Sequence, residues 1–193
     1  MLENLKKYNI ILASKSPRRN ELLKGLDIPF SVETMDTIEE KYPNNLVGEK
    51  IPLYLAQLKA EAYANNLSDN TLLITADTIV WLEGKELGKP TDLIHAKKML
   101  QQLSGKEHEV ITGVCLLSKQ KKVLFTATSK VRFASLSENE IDYYLEHYSP
   151  LDKAGSYGVQ EWIGYMAVEH IEGSYFNVMG LPIQRLYKEL THF

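Results

Sequence analysis

The order of apolar and polar residues along the chain predicts alternating strands and helices. Short, dense apolar runs bounded by polar turns are typical of buried strands. The run at residues 72–81 is the most β-like, and a turn at Gly84 leads from it into a short return strand through Leu87. The other predicted strands cover residues 8–13, 29–33, 110–117, 123–133 and 162–171.

Apolar residues at intervals of three and four predict the helices, and capping residues predict where they begin. Ser16 is a good N-cap and Pro17 suits the first helical position, so a helix is expected from there to about Gly25. Further helices are predicted at residues 51–65, from a Thr91 cap to Gly105, from a capping box of Ser137 and Glu140 to about Tyr148, and from Pro182 onward.

Helices and strands mix along the chain, and several strands are separated only by short turns. This order favours a mixed-sheet α/β or α+β fold over an all-parallel sheet. No internal repeat, low-complexity tract or flexible linker divides the chain, so residues 1–193 are predicted to form a single domain. Residues 35–50 are predicted to be a polar connection that carries Asp36, Glu39 and Glu40.

Composition and charge narrow the class of protein. With 22 Lys and Arg against 25 Asp and Glu, the formal charge of −3 argues against a nucleic-acid polymer or an anionic membrane as partner, although a local basic cleft is compatible with it. The single cysteine, Cys115, excludes an internal disulfide framework and fits a reducing compartment. No apolar run reaches about 18 residues and no signal peptide is evident, so we expect a cytoplasmic protein without a membrane span.

The first candidate site is a predicted strand that leads into a helix start rich in serine and arginine. Ser14 and Ser16 carry hydroxyls, and Arg18 and Arg19 lie in the first helical turn, where the helix dipole favours anions over cations. Backbone N–H groups, hydroxyls and guanidinium forks together suit a phosphate chain. The alternative is a capped helix whose arginines lie in solvent. The segment is not a P-loop, because that motif is absent from the chain.

The second candidate is Asp77, which interrupts the most β-like run of the sequence. A carboxylate in an apolar strand is costly to bury unless it is paired, hydrogen-bonded or bound to a metal. Such a group could act as a general base for water or help to hold a divalent cation. The alternative is an outward-facing aspartate at a strand edge, which needs no function.

Two lysines and one loop are weaker candidates. Lys59 lies on a predicted helix and Lys89 precedes Pro90 at a strand-to-helix junction, and lone lysines of this kind are mostly solvated. The loop at residues 152–160 contains two glycines, an aromatic residue and Gln160, which could read a nucleobase by stacking and hydrogen bonding. Its composition alone favours a plain turn.

Five motifs spread over nearly the whole chain occur together. They are residues 13–19 (ASKSPRR), 76–78 (ADT), 88–90 (GKP), 151–160 (LDKAGSYGVQ) and 173–182 (GSYFNVMGLP). In this order they resemble the Maf family, known also as septum formation inhibitor proteins. The resemblance implies a nucleoside triphosphate pyrophosphatase of the subgroup that prefers dTTP and UTP, cleaving between the α- and β-phosphates. It also implies an elongated central mixed β-sheet with flanking helices and two lobes around a cleft, similar to inosine triphosphatases, and a homodimer.

The resemblance assigns roles to individual residues. Asp77 matches the family's catalytic proton acceptor. Three residues match positions that set substrate specificity: Arg18, Thr78 and Gln160. The residues that match phosphate-binding positions are Ser14, Arg18, Arg19, Lys59 and Lys89. Glu40, with Glu39 as the alternative, matches an acidic residue that would hold Mg²⁺ or Mn²⁺ together with Asp77.

Two rival functions stay open at the level of sequence. One is a protein that restrains cell division by binding a partner, with hydrolysis incidental. The other is a pyrophosphatase for purine triphosphates such as ITP, in which Thr78 and Gln160 have no pyrimidine-specific role.

Overall fold

The fold is described from a computed structural model of residues 2–35 and 38–193, so the expected carboxylate of Asp36 lies outside the described residues. The strands are β1 (Asn9–Ala13), β2 (Ser31–Glu33), β3 (Thr71–Leu82), β4 (Lys85–Leu87), β5 (Glu107–Leu117), β6 (Lys122–Phe133) and β7 (Val168–Glu172). They form one sheet in the order β2-β1-β3-β5-β6-β7, and β4 also pairs with β3. Strand β1 is parallel to β2 and β3, whereas β4 is antiparallel to β3 and β7 to β6. The sheet is therefore mixed, as predicted.

Seven α-helices connect and flank these strands in the described part of the chain. They are α1 (Pro17–Lys24), α2 (Lys50–Tyr63), α3 (Leu93–Leu103), α4 (Glu138–His147), α5 (Trp162–Ala167), α6 (Tyr175–Val178) and α7 (Ile183–Thr191). Short 3₁₀ turns occupy Glu3–Leu5, Ala64–Asn66, Pro150–Asp152 and Ala154–Ser156. Among the described residues, none of the helices has the length and apolar character that a membrane crossing requires.

Two predicted helix starts are confirmed by their hydrogen bonds. The Ser16 hydroxyl accepts from the Arg19 backbone N–H at 3.4 Å and caps α1. At α4 the Ser137 hydroxyl accepts from the Glu140 N–H at 3.3 Å, while the Glu140 carboxylate accepts from the Ser137 N–H at 2.7 Å. These caps satisfy backbone donors that the first helical turn leaves without partners.

The predicted strand at residues 162–171 is wrong over its first part, which is the helix α5. The aromatic and β-branched residues there favour a strand, but Ile163 and Ala167 are buried four residues apart on one helical face. Gly164 lies against the turn before it, so closely that a Cβ would come within 1.8 Å of the Val159 carbonyl oxygen. Tertiary packing therefore overrides local propensity, and the strand starts only at Val168.

The cap of α3 is also one residue away from its predicted position. Asp92, not Thr91, is the N-cap, because its carboxylate accepts from the His95 N–H at 2.7 Å. The Thr91 hydroxyl donates to that carboxylate at 3.2 Å. A carboxylate at this position also has the favourable sign for the helix dipole.

The chain divides into two compact units, of which the first consists of Met1–Asp77, Thr112–Ala127 and Gly180–Phe193. Its buried core includes Ala13, Ala56, Ala60, Tyr63, Leu67, Leu73 and Cys115. Helix α2 lies very close to β5, because a Cβ on Gly113 would come within 2.4 Å of the Pro52 carbonyl oxygen. Glycine at position 113 thus permits the close approach that holds α2 against the sheet.

The second unit consists of Thr78–Ile111 and Thr128–Met179. Its apolar core includes Val80, Leu82, Leu100, Leu103, Val110, Val131, Phe133, Ile141, Tyr144, Tyr157, Val159, Ile163 and Ala167. Edge-to-face contacts join the rings of His108, Phe133 and Tyr157, with centroids 4.9–5.5 Å apart. These contacts fix the loop around Tyr157 to the sheet.

Candidate active site

A hydrogen bond between β3 and α2 sets the geometry of the candidate site. The fully buried Thr75 hydroxyl donates to the Ala56 carbonyl at 2.6 Å. Thr75 and Asp77 share a face of β3, because side chains two residues apart in a strand point the same way. Lys59 lies three residues after Ala56 and therefore on the same side of α2. The same packing that joins the two elements brings Lys59 to Asp77.

Lys59 is shared between two carboxylates. Its Nζ lies 2.6 Å from Asp77 Oδ1 and 3.1 Å from Glu40 Oε1. The Asp77 side chain is only 11% exposed and that of Lys59 only 13%, whereas the Glu40 side chain is 43% exposed. The outward-facing alternative for Asp77 is therefore wrong, and so is the expectation that Lys59 is solvated. Removing one partner of such a buried pair leaves the other charge uncompensated, which is strongly destabilising.

Glu39 and Glu40 were the two alternatives for the acidic residue near Asp77, and the geometry favours Glu40. Glu40 contacts Lys59, as above, while Glu39 forms an ion pair with Lys41 in which both side chains are more than two-thirds exposed. Glu40 therefore contributes charge near Asp77, and Glu39 belongs to the solvated part of the connection.

The start of α1 adds hydroxyls and cations to the first unit. The buried Ser14 hydroxyl accepts from the Ser16 N–H at 3.1 Å, so it lies beside the first helical turn. Arg19 Nε donates to the Gly180 carbonyl at 2.8 Å, which fixes the orientation of its guanidinium. Arg19 is thus anchored and not simply solvated.

The pKa of Arg19 is changed by its burial and by the charged side chains near it. Burial lowers this pKa from its ordinary value, the Asp77 and Glu40 carboxylates act in the opposite direction, and the Arg18 cation adds to the lowering. Arg18 and Arg19 therefore lie in the same electrostatic environment as the two carboxylates. The first unit therefore collects cations and carboxylates in one place.

The remaining predicted residues belong to the second unit. Thr78 follows Asp77 on β3 and opens that unit. Lys89 is exposed, and Gly88 beside it accepts from the Gly155 N–H at 3.0 Å. The segments at residues 88–90 and 152–160, which are far apart in sequence, therefore meet within the second unit.

Gln160 carries a polar atom without a partner. Its side chain is partly buried, and its Oε1 is fully buried without a hydrogen bond to any described residue. An unsatisfied buried acceptor costs about 1–3 kcal/mol, so such atoms are rare away from functional positions.

Two other buried titratable groups belong to the cores. Burial raises the pKa of the Cys115 thiol to about 11, which keeps it protonated and unreactive near neutral pH. Burial lowers the pKa of His108 to about 4, and its Nε2 lies 2.8 Å from the Tyr157 hydroxyl. Both are packing residues of their units.

The positioning groups of the site were not identified from the sequence. Thr75 precedes Asp77 by two residues, and this spacing signals a shared strand face, but its partner Ala56 is set by tertiary packing. The Gly180 carbonyl has no side-chain signal at all. In the second unit Lys153 and Glu161 form a buried ion pair at 3.1 Å inside a loop whose composition favoured a plain turn.

Comparisons with known proteins agree with the motifs. The sequence model of the Maf-like protein family matches residues 9–193. The chain is 59% identical over 190 residues to a Bacteroides fragilis protein named dTTP/UTP pyrophosphatase, with 98% of each chain covered. It is 60% identical over 190 residues to a Phocaeicola vulgatus protein of the same name, again with 98% of each covered. A Porphyromonas gingivalis protein of that name is 57% identical over 195 residues, which cover 100% of this chain and 98% of the relative.

Solved structures show the same fold at low sequence identity. A HAM1 protein from Coxiella burnetii aligns with a TM-score of 0.54 at 14% identity, over 96% of this chain and 100% of that one. The Staphylococcus aureus Ham1 protein aligns with a TM-score of 0.51 at 21% identity, over 94% and 99% of the two chains. At these identities the likeness concerns the fold alone, and it agrees with the mixed α/β architecture.

Proposed function

The chain belongs to the Maf-like protein family, and from that premise we propose that it hydrolyses dTTP and UTP between the α- and β-phosphates. The products are the nucleoside monophosphate and pyrophosphate. The names of the relatives support the substrate, and the observation that carries the chemistry is the buried Asp77 carboxylate held by Lys59 at 2.6 Å. Although the chain has a net charge of −3, cations surround the Asp77 carboxylate at this place. The cations suit a polyanionic substrate, and the carboxylate suits the activation of the attacking water.

Asp77 is the general base of the proposed reaction. Lys59 holds Oδ1 at 2.6 Å, which orients the carboxylate on a rigid strand. The other carboxylate oxygen takes a proton from water as that water attacks the α-phosphorus, opposite the leaving pyrophosphate. The P–O bond to the bridging oxygen breaks, and pyrophosphate leaves with the electron pair. Rigid placement of the base is the contribution of β3 and α2.

Cationic side chains bind the triphosphate and stabilise the leaving group. Arg18, Arg19 and Lys59 supply positive charge in the first unit, with the Ser14 hydroxyl beside the N-terminus of α1. The bond from Arg19 Nε to Gly180 pre-orients one guanidinium fork, which favours bidentate contact with phosphate oxygens. Lys89 is proposed as a further phosphate ligand because it is exposed and its direction is set by the buried Pro90. These donors stabilise negative charge as it grows on pyrophosphate.

The residues present also fit a divalent metal. No group of three or more His, Cys, Asp or Glu side chains suited to a metal occurs among the described residues. Mg²⁺ does not need one, because in nucleotide sites it is held by one or two carboxylates together with substrate phosphates. Glu40 and Asp77 are two carboxylates that contact the same ammonium, that of Lys59. Their oxygens would serve as ligands and hold Mg²⁺ or Mn²⁺ in this way. When bound, the metal neutralises phosphate charge and polarises the scissile bond.

Gln160, Thr78 and Arg18 are the proposed specificity residues. Uracil and thymine present an N3–H donor between two carbonyl acceptors, so an amide can both accept from and donate to this edge. The Gln160 Oε1 atom lacks a donor among the described residues, and the imide N–H would supply one. Sites that hydrogen-bond a substrate group discriminate more sharply than apolar fit does.

Product analysis tests the proposal. The purified chain is incubated with Mg²⁺ and each of dTTP, UTP, CTP, GTP and ITP, and the products are separated by ion-exchange chromatography. We expect UMP or dTMP with one equivalent of pyrophosphate. Orthophosphate with UDP would contradict α–β cleavage, preferred turnover of ITP would support a purine pyrophosphatase, and no turnover would favour a partner-binding function in cell division.

Three further expectations from the sequence and the family resemblance belong to the same proposal. We propose a homodimer that acts in the cytoplasm without binding a nucleic-acid polymer. Light scattering coupled to size-exclusion chromatography measures the mass against the 22.0 kDa of one chain. A mass near one chain at micromolar concentration would contradict the dimer.

A further inference from the structure

A buried ion-pair network surrounds the turn that carries Gln160. This turn, residues 158–161, is closed by a hydrogen bond from the Glu161 N–H to the Gly158 carbonyl at 2.9 Å. Its Val159 side chain is buried in the core of the second unit. Gln160 therefore lies in the middle of a short turn whose two ends can be fixed independently.

Lys153 fixes one end of this Gln160 turn. It is 8% exposed, and its ammonium donates to the Ser149 carbonyl at 3.1 Å and to Asp152 Oδ1 at 2.8 Å. It also forms an ion pair with Glu161 Oε1 at 3.1 Å, so it has three oxygen partners within the protein, as many as an ammonium has N–H groups. A fully satisfied buried lysine of this kind is rigid.

Tyr144 joins the two ends of the turn. Its hydroxyl donates to Glu161 Oε2 and accepts from the Gly158 N–H at 3.2 Å. Burial, together with the hydrogen bond to Glu161 and the charge of that carboxylate, raises the pKa of Tyr144 above its ordinary value, so the hydroxyl stays a neutral donor. The chain of contacts runs from Lys153 through Glu161 and Tyr144 to Gly158 and so encloses Gln160.

We propose that Lys153 is a positioning residue for base selection, acting through Glu161 and Tyr144 to hold the Gln160 turn in the conformation that reads uracil and thymine. This inference rests on the proposed function of Gln160. The amide must be held with its Oε1 facing the substrate's N–H donor, because a rotated amide would accept the cytosine edge equally well. Rigid support of the turn therefore increases the selectivity for uracil and thymine.

Steady-state kinetics of four variants tests this role. The selectivity is kcat/KM for UTP divided by kcat/KM for CTP, measured for the wild type, K153M, Q160A and the double variant K153M/Q160A. We expect K153M to lower the selectivity about tenfold, mainly through a higher KM for UTP. The double variant should lose no more selectivity than Q160A alone, because Lys153 acts through Gln160.

The control is K97M, which breaks an ion pair of 2.6 Å with Asp142 in the same unit but away from the Gln160 turn. It should leave the selectivity unchanged. If K153M does not fold, Glu161→Gln carries the test, since it removes the charge and keeps an acceptor for Tyr144. A smaller loss in the same direction is then expected.

The outcomes separate this inference from the function on which it rests. Unchanged selectivity in K153M or in Glu161→Gln overturns the positioning role, and so does a double variant whose loss equals the product of the two single losses. A wild type that produces no UMP and pyrophosphate overturns the proposed function and this inference with it.

Discussion

Each unit of the molecule contains a lysine shared between two carboxylates. The two lysines differ in the number of contacts that their ammonium groups make. Lys153 donates to Ser149 and Asp152 and forms an ion pair with Glu161, so its network is closed. Within the described part of the chain, Lys59 contacts two carboxylates, Asp77 and Glu40, and in the proposed function it also contacts the substrate. In the functions proposed above, the closed network holds a conformation, whereas the open network takes part in the chemistry.

The largest effect on activity is expected from a substitution in the open network of Lys59, Asp77 and Glu40. Replacing Asp77 with Asn keeps the shape and removes the base, so kcat for UTP should fall about 10²–10⁴-fold. Asp142→Asn, on the surface pair with Lys97, is the matched control and should have wild-type kcat. Near-normal turnover in D77N, measured by pyrophosphate release, would remove Asp77 from the mechanism.

Breaking each lysine pair separates the two networks. K59M leaves the buried Asp77 charge uncompensated, so it should lower the free energy of unfolding by about 3 kcal/mol, measured in urea, and K153M should lower it by less because Glu161 is only partly buried. Only K59M should lower kcat strongly, by about 100-fold, because it disturbs the base and a phosphate ligand together. If K153M reduced kcat as much as K59M does, the distinction between closed and open networks would be wrong.

Acid should weaken the second unit through His108. Its pKa is about 4 in the fold against an ordinary 6.5, so it is neutral when folded and takes up a proton on unfolding between these values. This contribution to stability is complete above pH 6.5 and is lost as the pH falls towards 4, to a total of about 3 kcal/mol. Urea unfolding of His108→Gln at pH 7 and pH 5 should show less pH dependence than the wild type. His170→Gln, at an exposed site, should match the wild type.

The smallest expected effect concerns the bond that joins β3 to α2. Thr75→Val keeps the side-chain shape and removes the donor to Ala56, so we expect a loss of about 1 kcal/mol in unfolding free energy. Because Lys59 is positioned by the same contact, KM for UTP should rise by a few-fold. Thr128→Val, at an exposed position of β6, is the control. A stable T75V variant with unchanged KM would show that α2 is positioned without this hydrogen bond.

Local features of the fold were predictable from sequence, and long-range ones were not. The caps at Ser16 and Ser137 depend on neighbours within three residues, so their chemistry is visible in the sequence. The need of Asp77 for a partner was also visible, because a carboxylate in an apolar strand must be paired. The identity of that partner was not, since Lys59 is eighteen residues away and meets it only through the packing of α2.

The error at α5 has the same origin. Trp162, Ile163 and Tyr165 favour a strand by propensity, and the contact of Gly164 with Val159 that closes the helix is invisible to propensity. The helix and the Lys153 network border the same turn, so the least predictable part of the fold surrounds Gln160. The family motifs identified that residue, and only the structure showed what supports it.

The discontinuous make-up of the first unit has a consequence for biosynthesis. Its segments are separated in the chain by the whole of the second unit, and Arg19 obtains its acceptor only from Gly180. Synthesis proceeds from the N-terminus at about 5–20 residues per second, so roughly 8–32 s pass between the synthesis of Arg19 and that of its partner Gly180. The nascent enzyme should therefore be inert until its last residues emerge, and a stalled or prematurely terminated chain would release no partially active product.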